Sequence, residues 1–264
     1  MSASAGRTVW LSGRFLPEAR ARVSATGLTL TSGVGLYETL RLVEGVAPLA
    51  ELHLARLRAS CEALGLRARR HDWPRILAEL AGHNRIRNGR ARIIVGDGFE
   101  LATCSRLPRG LASERKQGIY LTSASFERSA ASLKATSRLA LWLAERSSGG
   151  EVLLMSSRGR LIETTRANLF VITERGLETA PSSQALPGIA RQVILELARE
   201  MGIPIRVRAP SLRERSRWRE VFVSNALRGI RPVRRIDALT FPVRDGASLT
   251  RRLQRSLDER MGLS

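Results

Sequence analysis

Lysine stands at only two positions, 116 and 134, among 44 Lys and Arg residues, and every other cation is arginine. Arg cannot lose its proton in a protein, whereas a desolvated Lys can, and can then attack a carbonyl. Lys134, in SLKATSRLALW, is therefore a candidate for amine chemistry, although a solvated surface Lys is ordinary. His-based catalysis is poorly supported: His53, His71 and His83 all fall in the first part of the chain, and no Ser sits in a nucleophile-elbow context. A helical His between Leu52 and Leu54 reads as a packed residue. GDGFE lacks the Lys-Ser/Thr that a phosphate loop requires. Cys61 and Cys104 are too few and too unpatterned for a disulfide framework or a metal knuckle, so no metal is expected.

The elements that must position Lys134 are legible from periodicity. TVWLSGRF and LYETLRLVEGVAPLA read as strands, with Glu44-Gly45 as a hairpin-like turn. AELHLARLRASCEALGL repeats Leu52, Leu57, Cys61 and Leu64 at helical spacing and stops at Gly65. Asp72 reads as the N-cap of a second helix with Pro74 in its first turn. ARIIVGDG and LATCSRL read as strands around a Gly-Asp-Gly turn. PRGLASERKQG loses periodicity and reads as a linker near residues 108–117. Beyond it come the strand IYLTSASF, a loop with Lys134, the helix SRLALWLAERSS, and the strands EVLLMS, RLIET and NLFVIT. The helix ALPGIARQVILELAREMGI follows, then the strands PIRVRA and EVFVSNAL and a final helix from about 249 to 260. The fold class is α+β in two parts.

The net charge of +20 would suit a polyanion. The arginines are spread from Arg7 to Arg260 in short pairs, with no aromatic stacking motif among them, so a preference for Arg as the solvated cation explains the charge and no specific nucleic acid is expected. No stretch approaches the apolar length of a membrane span, and the N-terminus has no apolar signal core. A soluble, cytoplasmic protein is expected.

Five segments in sequential order, ELHLARLRAS, LKATSRL, GRLIETTRANLFVI, ALPGIARQVILELA and VFVSNALRGIRPV, resemble the fold-type IV pyridoxal-phosphate enzymes, over roughly residues 8–255. That family includes branched-chain and D-amino-acid aminotransferases and aminodeoxychorismate lyase. The resemblance implies a small N-terminal α/β domain, 1–112, a larger β-barrel-like α/β domain, 118–264, carrying the cofactor lysine, and a homodimer. It makes Lys134 the Schiff-base lysine and proton carrier, and Glu163 the carboxylate facing the ring nitrogen. It places Arg56, Gly188, Ile189, Ala190 and Asn225 around the phosphate; a helix N-terminus suits that anion. Asn168 and Arg138 are implied on the cofactor side. Tyr37, Arg41 and Arg92 are candidates on the side of a small amino-bearing substrate.

The chain departs from the family pattern in places. Ala190 stands where Thr is common, which removes one hydroxyl. Val34 replaces an Asp between glycines, while Tyr37, Glu38 and Arg41 still match. The stretch between RIIV and Lys134 is short. The runs SNAL…RPV and ANLF, Arg138 and the compact length resemble aminodeoxychorismate lyase, which gives p-aminobenzoate and pyruvate. A D-amino-acid or branched-chain aminotransferase is the alternative. A basic nucleic-acid-binding protein on an inactive version of the fold is a third reading, against which the Lys134 and Glu163 pair stands.

Overall fold

A computed structural model describes residues 7–126 and 128–263. It divides into two compact units, one of residues 1–108 with 133–137 and one of 109–132 with 138–264. Lys134 thus groups with the first unit, whereas the sequence-based boundary assigns it to the second.

The first unit is a five-stranded antiparallel sheet in the order β2-β1-β5-β4-β3. Its elements are β1 (Thr8–Leu11), β2 (Arg14–Pro17), α1 (Leu28–Ser32), β3 (Gly35–Leu42), α2 (Ala50–Leu64), α3 (Trp73–His83), β4 (Gly89–Gly96) and β5 (Phe99–Arg106). At the Glu44-Gly45 turn both residues take positive φ, 48° and 84°, and Val43 bridges Val46. A two-residue turn with that pair of signs matches strand twist, and Gly at its second position avoids the Cβ penalty. Asp72 caps α3 by accepting from the Arg75 N–H at 3.1 Å. Leu54 and Leu57 of α2, with Leu77 and Leu80 of α3, join Leu36, Leu40, Leu42, Ile93 and Val95 of the sheet in one buried cluster. Each such side chain contributes about 1.5–3 kcal/mol on burial.

Segment 133–137 extends this sheet. Ala135 bridges Leu36, the Tyr37 N–H donates to the Lys134 carbonyl at 2.9 Å, and the Thr136 N–H donates to the Gly35 carbonyl at 2.8 Å. The backbone of Lys134 is therefore held by ladder hydrogen bonds to β3, not left in a free loop.

The second unit comprises α4 (Leu111–Gln117), β6 (Ile119–Ser125), α5 (Leu139–Ser148), β7 (Val152–Met155), β8 (Leu161–Thr164), β9 (Asn168–Thr173), β10 (Gly176–Thr179), α6 (Ile189–Glu200), β11 (Ile205–Val207), β12 (Trp218–Asn225), β13 (Gly229–Ile236), β14 (Leu239–Thr240) and α7 (Leu249–Arg260). Strand order runs β11-β10-β9-β12-β13-β6-β7-β8, and β8 also pairs with β9, so six strands close into a barrel-like ring. Closure removes the edges that an open sheet would expose. Leu153, Leu161, Leu169, Val171, Val221 and Val223 form its main cluster. Phe170 and Phe222, paired in register, stack at 4.8 Å.

The expected linker at 108–117 is a correction: 111–117 is the helix α4, within the second unit. Its polar residues have distant partners. Glu114 accepts from Arg228 and from buried Arg231, and Arg115 pairs with Asp258. β10, β13 and β14 are strands that periodicity did not mark; β13 carries Arg231 on a buried face, where a charge breaks the apolar pattern.

Candidate active site

In the first unit, alternation along β3 sends Tyr37 and Arg41 to one face and Glu38 to the other. Arg92, opposite Thr39 on β4, shares the Tyr37 face. The Arg92 guanidinium and the Lys134 ammonium nitrogen each lie 4.8 Å from the Tyr37 ring centroid. The structure thus brings Lys134, Tyr37 and Arg92 together, at cation–π distance.

The opposite face holds a buried ionic group. Arg56 gives its Nε to Glu38 Oε1 and its Nη2 to Oε2, both at 2.7 Å. His53 Nδ1 lies 2.7 Å from the same Oε2. His53 and Arg56 are three apart on α2 and so share a helix face. Burial pushes the Glu38 carboxyl up, but the hydrogen bonds from His53 and Arg56 and the Arg56 charge outweigh it and hold Glu38 at about 2. Burial lowers His53, against the raising effect of Glu38. The group is accordingly one anion, one cation and a neutral imidazole.

In the second unit, Glu163 is buried at the end of β8, directly across from Asn168, the first residue of β9. Its Oε1 accepts from Arg128 Nη1 at 2.5 Å; its Oε2 accepts from the Leu186 N–H at 3.1 Å and from Asn168 Nδ2 at 3.3 Å. Three donors on one carboxylate favour its ionised form. Two residues past Leu186, Gly188 is the N-cap of α6 with no side-chain hydrogen bond, so the first-turn N–H groups of Ile189 and Ala190 meet no capping side chain. Such an end attracts anions.

Two solved structures superpose over nearly the whole chain. One is a branched-chain amino acid aminotransferase from Escherichia coli, with TM-score 0.85 and 25% identity over 98% of this chain and 96% of that one. The other is a 4-amino-4-deoxychorismate lyase from Pseudomonas aeruginosa, with TM-score 0.80 and 29% identity over 95% and 98%. A protein from Methanocaldococcus jannaschii named a putative branched-chain-amino-acid aminotransferase is 26% identical over 93% of each chain. The pattern described as amino-transferase class IV matches residues 35–236. The chain belongs to that family.

Class IV aminotransferases depend on pyridoxal phosphate. Each unit by itself carries residue types suited to that group: an amine at Lys134 in the first, and a buried, hydrogen-bonded carboxylate at Glu163 and an uncapped helix start in the second. Within this class IV chain, the other expected residues fall as follows. Asn168 turns both donor hydrogens inward, to Glu163 and to the Leu186 carbonyl. Asn225 closes the β12–β13 turn: its Oδ1 accepts from the N–H groups of Leu227 and Arg228, and its Nδ2 donates to the Arg166 carbonyl. Arg138, at the N-cap of α5, donates to the Thr165 carbonyl at 3.1 Å.

Arg128, on Glu163, was not legible in the sequence. It lies in irregular chain where no period marks a partner. The ionic role of His53 had a weak signal, a His three residues before an Arg beneath a strand carrying a Glu. Among the described residues, no helix is long and apolar enough to cross a membrane.

Proposed function

We propose that the protein is a pyridoxal-phosphate lyase acting on 4-amino-4-deoxychorismate, releasing p-aminobenzoate and pyruvate. The observation that carries this reading is the cationic face around Lys134. Tyr37 is flanked there by Arg92 at 4.8 Å, Arg41 shares its side of β3, and Arg90 lies opposite Arg41. A substrate with two carboxylates suits such a face, because guanidinium groups bind carboxylates in two-point contacts. The 29% identity to the Pseudomonas aeruginosa lyase over nearly the full length supports the same reading.

When bound, pyridoxal phosphate supplies an electron sink that makes a C–H bond beside the substrate nitrogen acidic. Lys134 would hold that group through its Nζ, and the same amine would carry the proton taken from the substrate. The Tyr37 ring and the neighbouring Arg92 cation set the electrostatics around that nitrogen. Glu163, which accepts from Arg128, Asn168 and the Leu186 N–H, would face the ring nitrogen and keep a proton there. The backbone N–H groups of Ile189 and Ala190, and Arg56, are the groups that would hold the phosphate; Ala190 brings no hydroxyl. The reading includes a homodimer working in the cytoplasm.

The second reading is an aminotransferase acting on branched-chain or D-amino acids, favoured by the aminotransferases similar over the full length. Both reactions start with the same proton removal, so the residues around the cofactor serve either. The deciding assay supplies aminodeoxychorismate with no keto acid and follows p-aminobenzoate and pyruvate, while a parallel panel supplies amino acids with 2-oxoglutarate. Amino transfer with no p-aminobenzoate would replace the lyase reading and leave Lys134 and Glu163 in their roles.

A further inference from the structure

We infer that Asn168 is a positioning residue: one side chain couples Glu163 to the start of α6 and sets the separation between the acid and the anion site. The inference rests on the proposed roles of those two places in holding the cofactor.

Four contacts close a buried loop. Asn168 stands opposite Glu163 in the β8–β9 pairing and is 5% exposed. Its Nδ2 has two hydrogens and uses both, one on Glu163 Oε2 at 3.3 Å and one on the Leu186 carbonyl at 2.8 Å. The Leu186 N–H returns to Glu163 Oε2 at 3.1 Å. The fourth contact is steric. A Cβ added at Gly188 would lie 2.0 Å from Asn168 Oδ1, far inside contact distance.

Gly188 has φ −65° and ψ 140°, a conformation open to any residue. Its lack of a side chain therefore answers to space, and Asn168 occupies that space. A flexible side chain could swing aside cheaply; Asn168 is buried and tied by two hydrogen bonds, so it cannot. Ala and Leu lack the donors for the loop, and Asp would set a second carboxylate against Glu163. The functional consequence is preorganisation. A cofactor held both at its ring nitrogen and at its phosphate would need those two anchors at a constant separation.

The test is a double-mutant cycle on the full chain stripped of cofactor, titrated with pyridoxal phosphate and followed by absorbance, with melting temperature recorded for each variant. Gly188→Ala is expected to weaken binding about tenfold or more, and Asn168→Ala about three- to tenfold. The double variant is expected to bind more tightly than Gly188→Ala alone, because removing Oδ1 frees the space its Cβ needs. Should Gly188→Ala fail to fold, recovery of a folded double variant reports the same coupling. Asn168→Asp, nearly isosteric, is expected to lose affinity more than Asn168→Ala through repulsion with Glu163. A double variant no better than Gly188→Ala in fold and affinity, or wild-type affinity in Asn168→Asp, overturns the inference. Failure of the wild-type chain to take up pyridoxal phosphate overturns the proposed function instead, and is read in the same titration.

Discussion

Arg56 meets Glu38 in a two-point contact, Nε on Oε1 and Nη2 on Oε2, both at 2.7 Å, on the sheet face opposite Tyr37. With His53 on the same carboxylate, the pair orients the arginine proposed for the phosphate. Breaking one partner of a buried ion pair costs more than the pair contributes, because a charge is left uncompensated. Arg56→Ala should therefore lower stability by about 3 kcal/mol or more and weaken cofactor binding. Denaturant unfolding with and without pyridoxal phosphate separates the two effects; an unchanged midpoint would show that Glu38 does not depend on Arg56.

Acid should unfold the protein in two stages. Burial, opposed by Glu38, holds native His53 below its ordinary 6.5, and His53 and Arg56 hold Glu38 at about 2 against 4.5. In both cases the unfolded chain binds more protons than the native one as pH falls. The stability contribution of each group is thus full above its unfolded value and is lost on acidification, from His53 below about 6.5 and from Glu38 between 4.5 and about 2. The Glu38 part is worth on the order of 3 kcal/mol. Melting temperatures from pH 8 to pH 3 check this; for His53→Asn the deficit relative to wild type should shrink between about pH 7 and pH 5.

Borohydride treatment of the protein with pyridoxal phosphate should bleach its visible band and leave a pyridoxyl group on the peptide containing Lys134. Peptide mass spectrometry reads the position. Labelling of Lys116, on α4, would remove Lys134 from its role.

Glu163→Gln should keep cofactor but lose most turnover, about a hundredfold or more, since an amide cannot hold the ring nitrogen protonated by charge. The amide also brings a donor to a place where Arg128, Asn168 and the Leu186 N–H all donate. A stability loss of about 1–3 kcal/mol should accompany it. Measuring kcat beside melting temperature distinguishes the two, and near-wild-type kcat would place Glu163 outside the chemistry.

The sequence by itself determined the elements whose signals are local. Gly65 ends α2, Asp72 caps α3 and Glu44-Gly45 turns the chain, each where composition and period place it. It also marked Lys134 by residue type, while Glu163, which the structure buries, was named by the family resemblance. Only the tertiary structure decided that 111–117 is a helix, because Glu114 and Arg115 find Arg228, Arg231 and Asp258 more than a hundred residues away. It likewise decided that Lys134 joins the first sheet through β3, that Arg128 pairs with Glu163, and that Asn225 spends its side chain on a turn. Caps, turns and periodicity depend on neighbours a few residues apart and leave a trace in order and spacing. An ion pair between distant residues leaves none, since in a chain with 44 Lys and Arg any carboxylate has many possible partners until folding brings one within reach.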